Sequence, residues 1–152
     1  MRFTITPPAG GQAYLLGDDT GPLKQPPGPN YQNGLSGHVI EGYLPEYDIL
    51  VQKSNLVRSA NPFGAPRLNQ SGTIRFTVVR IFSSFDDCVD FLDDLQSLVP
   101  IQGELTRTNT STGRSRFLPS VFREQIRCSY QKGVRCDVTY QFWSNSFWRT
   151  NP

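Results

Sequence analysis

The sequence predicts an α+β domain that is mainly β: an antiparallel β-sandwich or partly closed barrel, with one packed α-helix at about 84–98 and long N-terminal loops. Three observations carry that expectation. Residues 73–78 alternate Thr73, Arg75 and Thr77 with Ile74, Phe76 and Val78, the period-2 pattern of a strand with one face on a core. Residues 84–98 switch at once to steps of three and four. The other apolar residues fall in short alternating runs punctuated by Gly and Pro, as antiparallel strands joined by turns require.

Taken in order, 2–6 is a short alternating strand stopped by Pro7-Pro8, and 12–16 a second. Residues 17–37 offer almost nothing to bury and read as an arm, either mobile or laid on a neighbouring subunit with Leu23 and Tyr31 as anchors. Strands are expected at 38–44 and 47–52, then a long loop over 54–72. The central strand, 73–82, begins half exposed and ends covered on both sides, because Val79, Ile81 and Phe82 break the alternation.

The helix stripe comprises Phe85, Cys88, Val89, Leu92, Leu95 and Leu98, widened by Phe91, which centres it on Leu92. Ser84 and Asp87 form a capping box, and Pro100 ends the helix. Asp86, Asp87, Asp90, Asp93 and Asp94 make an acidic face. The last two sit toward the negative end of the helix dipole, which suggests a basic partner, while the ordinary reading of such a charge run is a solvated helix face.

Beyond Pro100 the pattern gives a strand at 103–108, a turn at 109–113, a short return through Arg116–Leu118 and a closing hairpin. In that hairpin Phe122, Ile126, Cys128 and Tyr130 share parity with Val134, Cys136, Val138, Tyr140 and Phe142. Parity requires even residues to oppose even ones, which excludes a two-residue turn. The expected connection is Gln131-Lys132-Gly133, with Cys128 opposite Cys136, Ile126 opposite Val138, Glu124 opposite Tyr140 and Arg127 opposite Asp137.

At 152 residues the chain is expected to form a single domain. No apolar run reaches a membrane span, and 1–8 lacks the apolar core of a signal peptide, so no membrane partner is expected. Three cysteines without metal-ligand spacing fit reduced thiols. His38 is the only histidine, and no nucleophile elbow or phosphate loop occurs, so neither an enzyme, a metal nor a cofactor is expected.

Charge is polarised. Residues 84–98 carry five Asp and no base, whereas 101–152 carry eight basic residues against Glu104, Glu124 and Asp137. Arg107, Arg114, Arg116, Arg123, Arg127, Lys132 and Arg135, with Phe117 and Tyr130 among them, would suit a nucleic-acid-binding β-domain as the alternative function. In the tail, Trp143 falls on the polar face of its strand, and Phe147 and Trp148 follow where the strand should be over. They pack across the domain's own edge or anchor another subunit.

Over 73–143, the long strand, the acidic-faced helix and the meander ending in the hairpin with Gly133 and Val138-Thr-Tyr-Gln-Phe142 resemble the β-sandwich-plus-helix unit of tailed-bacteriophage tail proteins. Tail tube, tail terminator and the ring-forming part of distal tail proteins share that unit. The resemblance implies a structural virion protein, made in the host cytoplasm, that forms a ring, in that family usually hexameric, with other tail proteins as partners. It implies no catalytic residues, and DNA only as a passing occupant of the channel. Trp143, Phe147, Trp148, Leu23 and Tyr31 would then supply the subunit interface.

Overall fold

The computed structural model describes residues 1–11, 13–20, 38–41, 48–52 and 67–150. Their order is β1 (Arg2–Thr6), β2 (Tyr14–Asp18), β3 (His38–Glu41), β4 (Asp48–Gln52), β5 (Arg67–Ile81), α1 (Phe85–Leu98), β6 (Gln102–Thr108), β7 (Ser115–Lys132) and β8 (Arg135–Ser144). The strands form one eight-stranded sheet in the order β2-β1-β6-β7-β8-β5-β3, with β4 also on β5. Every pairing is antiparallel.

The sheet curls on itself. Phe3 of β1 stacks on Phe76 of β5 with ring centroids 3.9 Å apart, although β6, β7 and β8 separate those strands in the ladder. At the open seam, a Cβ on Gly17 of β2 would stand 2.7 Å from a methyl of Val78 and 3.0 Å from one of Val39. Glycine lets the two edges of the sheet approach there. The result is a mainly β fold with one helix whose sheet is not closed, a sandwich or partial barrel.

The core is the inner face of this curl. Ile74, Phe76 and Val78 of β5 meet Cys136, Val138, Tyr140 and Phe142 of β8, with Phe3, Ile5, Leu16, Leu105, Leu118 and Val121 from the other strands. As expected, the part of β5 from Thr73 begins with Thr73 and Arg75 exposed and ends with Thr77 and Val79 buried on the same outer face. Thr77 and Thr139 share a hydrogen bond there.

Several boundaries differ from the sequence expectation. The second strand lies two residues later, so Gly17 and Asp18 belong to the sheet rather than to an arm. Asp18 is buried against Arg2, opposite it in the ladder, and accepts from Arg2 Nε, from the Thr20 hydroxyl and from the Thr20 N–H. Burial disfavours its charge, but those bonds outweigh it and hold the carboxyl below its usual pKa. Residues 21–37 of the expected arm, with Leu23 and Tyr31, lie outside the described residues. β5 begins at Arg67, inside the expected loop, because the polar run Arg67–Ser71 pairs with β4; a ladder with a neighbour supplies what the sequence pattern lacks.

β7 is the pivot of the sheet. The expected short return and the first hairpin strand are one 18-residue strand, whose first part pairs with β6 and whose second part pairs with β8. Pro119 is tolerated in it for two reasons: β7 itself bulges there, Pro119 and Ser120 facing the single residue Glu104 of β6, and the β8 ladder begins only at Phe122. The turn before β7 is as expected. Asn109 Oδ1 accepts from the N–H groups of Ser111 and Thr112, and Gly113 has φ +72°.

The hairpin register needs correction. Lys132 pairs with Arg135, so the turn is the two-residue Gly133-Val134, with Gly133 at φ +56° in its first central position. Cys128 opposes Val138 rather than Cys136, Ile126 opposes Tyr140 rather than Val138, and Arg127 opposes Thr139 rather than Asp137. Glu124 sits in the step between Arg123–Phe142 and Gln125–Gln141, so it does not oppose Tyr140. Even still meets even around Cys128 and Ile126. A bulge at Ser129 inserts one residue and reverses the parity that the two-residue turn sets.

Helix α1 begins at the expected cap: Ser84 Oγ accepts from the Asp87 N–H at 3.1 Å. It ends at Val99, before Pro100. The buried stripe is rotated by one position. Cys88, Phe91, Leu95 and Val99 face the core, Leu92 is half-buried and Phe85 is 53% exposed. Phe91 packs on Phe82, and the buried Arg80 guanidinium lies 4.6 Å from the Phe91 ring centre.

The basic partner of the helix is Arg123, and it binds carbonyls rather than aspartates. Its guanidinium donates to Gln96 O and Val99 O, both at 2.7 Å, while Gln96 Nε2 donates to Ile126 O. No base lies in the last turn of the helix, so Arg123 supplies the cation that its carbonyl end favours. Arg123→Ala is expected to cost about 1.5–3 kcal/mol, as for hydrogen bonds to charged groups. Urea denaturation checks it, with Arg123→Lys expected to recover part of the loss.

Candidate interaction surface

On the outer face of β5, β8 and β7 the polar residues interlock. Arg75 donates to Gln141 Oε1 through Nε and Nη2, and Gln141 Nε2 donates to Glu124 Oε2. Arg135 forks onto Asp137 of its own strand at 2.9 and 3.0 Å. That pairing replaces the expected Arg127–Asp137 contact, since residues two apart on a strand share a face. Burial opposes it only weakly at this exposed site, and the Asp137 carboxylate raises the Arg135 pKa.

Apolar side chains interrupt this polar face. Trp143 is half-buried and directly opposes Phe122, their ring centres 6.1 Å apart, while Phe122 remains 40% exposed. Phe147, three residues beyond the end of β8, is 41% exposed. Alternation on β7 also puts the half-buried Phe117 on this outer face, because Leu118 points into the core. These rings make the sheet's outer surface locally apolar.

Of the two readings of the tail, Trp148 follows the first. It packs against the domain's own core, with the Arg107 guanidinium 5.1 Å from its ring centre. Arg149 then bridges Phe117 by two backbone hydrogen bonds of 2.8 and 2.7 Å. The tail therefore continues along β7 after β8 has ended. Tertiary pairing, invisible in the tail's own composition, separates Trp148 from Trp143 and Phe147.

Asp86, Asp90, Asp93 and Asp94 are exposed and Asp87 is half-buried. Among the described residues no basic side chain pairs with Asp86, Asp87, Asp90 or Asp93. Arg123 is turned to the helix end, Arg107 lies on Trp148 and Arg135 is held by Asp137, which leaves Arg114, Arg116, Arg127 and Lys132 exposed, with Arg116 directly opposite Arg107 in the β6–β7 ladder.

Two buried features escaped the sequence reading. Arg80 shares the parity of Ile74, Phe76 and Val78 and so points into the core, where Phe82 and Phe91 flank it. Extending the alternation two residues beyond Val78 would have found it. Cys88 also joins Cys128 and Cys136, the two that the sequence sets against each other. Burial, then the neighbouring Cys128 and Cys88 thiols, raises the pKa of Cys136, and burial raises that of Cys88. Cys128, expected inside, is exposed, because its strand runs past the core there.

No family model, curated protein or solved structure matches this chain.

Proposed function

We propose that this chain is a structural virion protein that oligomerises into a ring in the tail of a tailed bacteriophage. The observation that carries the reading is the aromatic pair of exposed Phe122 and half-buried Trp143 on the otherwise polar outer face of the β7–β8 ladder, with the exposed Phe147 just beyond the end of β8. Large rings at such a position concentrate at the centres of protein interfaces, where water is excluded. An acidic helix face and exposed arginines elsewhere on the same subunit suit oriented, head-to-tail contact between copies.

The nucleic-acid alternative draws less support, because Arg107, Arg123 and Arg135 are engaged within the chain. Size-exclusion chromatography with light scattering tests both. A high-order oligomer is expected for the wild type. Phe122→Ser with Phe147→Ser should weaken it, each aromatic being worth ~2 kcal/mol or more at an interface centre. Both side chains are exposed, so circular dichroism should be unchanged. A wild-type monomer retained on heparin would favour the alternative.

A further inference from the structure

Cys88 comes from the first turn of α1, Cys128 from β7 and Cys136 from β8, yet both other thiols neighbour Cys136. Cys128 pairs with Val138, two residues along β8 from Cys136, so the two thiols are diagonal neighbours on one face of adjacent antiparallel strands. Their access to solvent differs. Cys128 is exposed, Cys88 and Cys136 are buried, and none is in a disulfide. A soluble oxidant therefore meets Cys128 first, with Cys136 waiting behind it.

We propose that Cys128 is a modifiable thiol backed by Cys136 as its resolving partner, so that an oxidant closes a Cys128–Cys136 disulfide at the base of the β7–β8 hairpin. The inference stands independently of the ring. With a small-molecule disulfide as oxidant, the Cys128 thiolate attacks one sulfur, forming a mixed disulfide and releasing one thiolate. Cys136 then loses its proton to solvent or to that thiolate and attacks the Cys128 sulfur, expelling the second thiolate. Two protein thiols are oxidised and one disulfide is reduced to two thiols. Burial keeps Cys136 protonated, so the second step is the slow one.

Cys136 is the partner rather than Cys88 because the β7–β8 ladder sets it as the diagonal neighbour of Cys128 beside the Gly133-Val134 turn. Cys88 is held on a helix tied at its other end by Arg123 and Gln96.

The test is incubation of the full chain with oxidised glutathione, followed by mass spectrometry of unreduced tryptic peptides. Cleavage after Arg127, Lys132 and Arg135 puts each cysteine on its own peptide. The expected result is a transient glutathione adduct on Cys128, replaced by a Cys128–Cys136 cross-link and the loss of two hydrogen masses. Cys136→Ser should trap the adduct on Cys128, Cys128→Ser should abolish both species, and Cys88→Ser should leave the cross-link intact. If Cys136→Ser does not fold, Cys136→Ala serves the same comparison. A wild-type adduct as persistent as in the Cys136 variant, or a cross-link mapped to Cys88, would overturn the proposal.

Discussion

Phe76→Ala should destabilise the domain by about 3–5 kcal/mol, the usual cost of truncating a buried phenylalanine. Phe76 is almost fully buried and lies flat on Phe3, with Tyr140 and Phe142 at ring distances of 5.4 and 6.3 Å. Its contact with Phe3 joins strands that share no ladder, so the truncation opens a cavity where the sheet folds back on itself. Domain stabilities run to about 5–15 kcal/mol in all, and one substitution should remove a large part. Urea denaturation followed by far-UV circular dichroism measures it. Arg75→Ala, one residue away on the exposed face, loses only its bonds to Gln141 and should shift the midpoint little. Comparable losses from both would mean that the inner and outer faces of β5 had been exchanged.

The second large effect is expected at Phe91. Truncation to alanine should cost about 3–5 kcal/mol, because the ring is fully buried between Phe82 and the Arg80 guanidinium. Leu92→Ala should cost clearly less, since Leu92 is only half-buried. The sequence stripe would have ordered these two the other way. Two denaturation curves decide between the registers, and a larger loss at Leu92 would restore the stripe centred there. The exposed Asp90, one residue before Phe91, serves as the control: Asp90→Ala should be near neutral.

Why the helix is rotated by that one position is itself physical. Leu92 was the centre of the stripe because Val89, Leu92 and Phe85 were counted with Cys88 and Leu95. The sheet beneath accepts only a narrow row, Cys88, Phe91, Leu95 and Val99, because Arg123 pins the helix end and the Phe82 and Arg80 side chains meet Phe91. An amphipathic stripe states a direction to within about one residue of the helical period. The partner surface chooses within that range.

The hairpin shows the same division more sharply. Parity alone was enough to say that Ile126 and Cys128 meet the even residues of β8, and they do. It could not say which even residues, because a three-residue turn and a two-residue turn with a bulge satisfy the same alternation. The structure uses the second, with Ser129 as the extra residue, and the partners of Ile126, Arg127 and Cys128 move by two.

What the sequence determined by itself was the type of each element: the alternation of 73–78, the Ser84 cap, the Pro100 stop and the Asn109–Gly113 turn are interactions between residues close along the chain. The tertiary structure decided the rest. It set the length of β5 and β7, the face of Trp148, the burial of Arg80, the meeting of Cys88 with Cys136 and the task of Arg123 at the helix end. Each of these depends on groups brought together by ladder pairing and by the curl of the sheet, and no local period records which distant strand will become the neighbour.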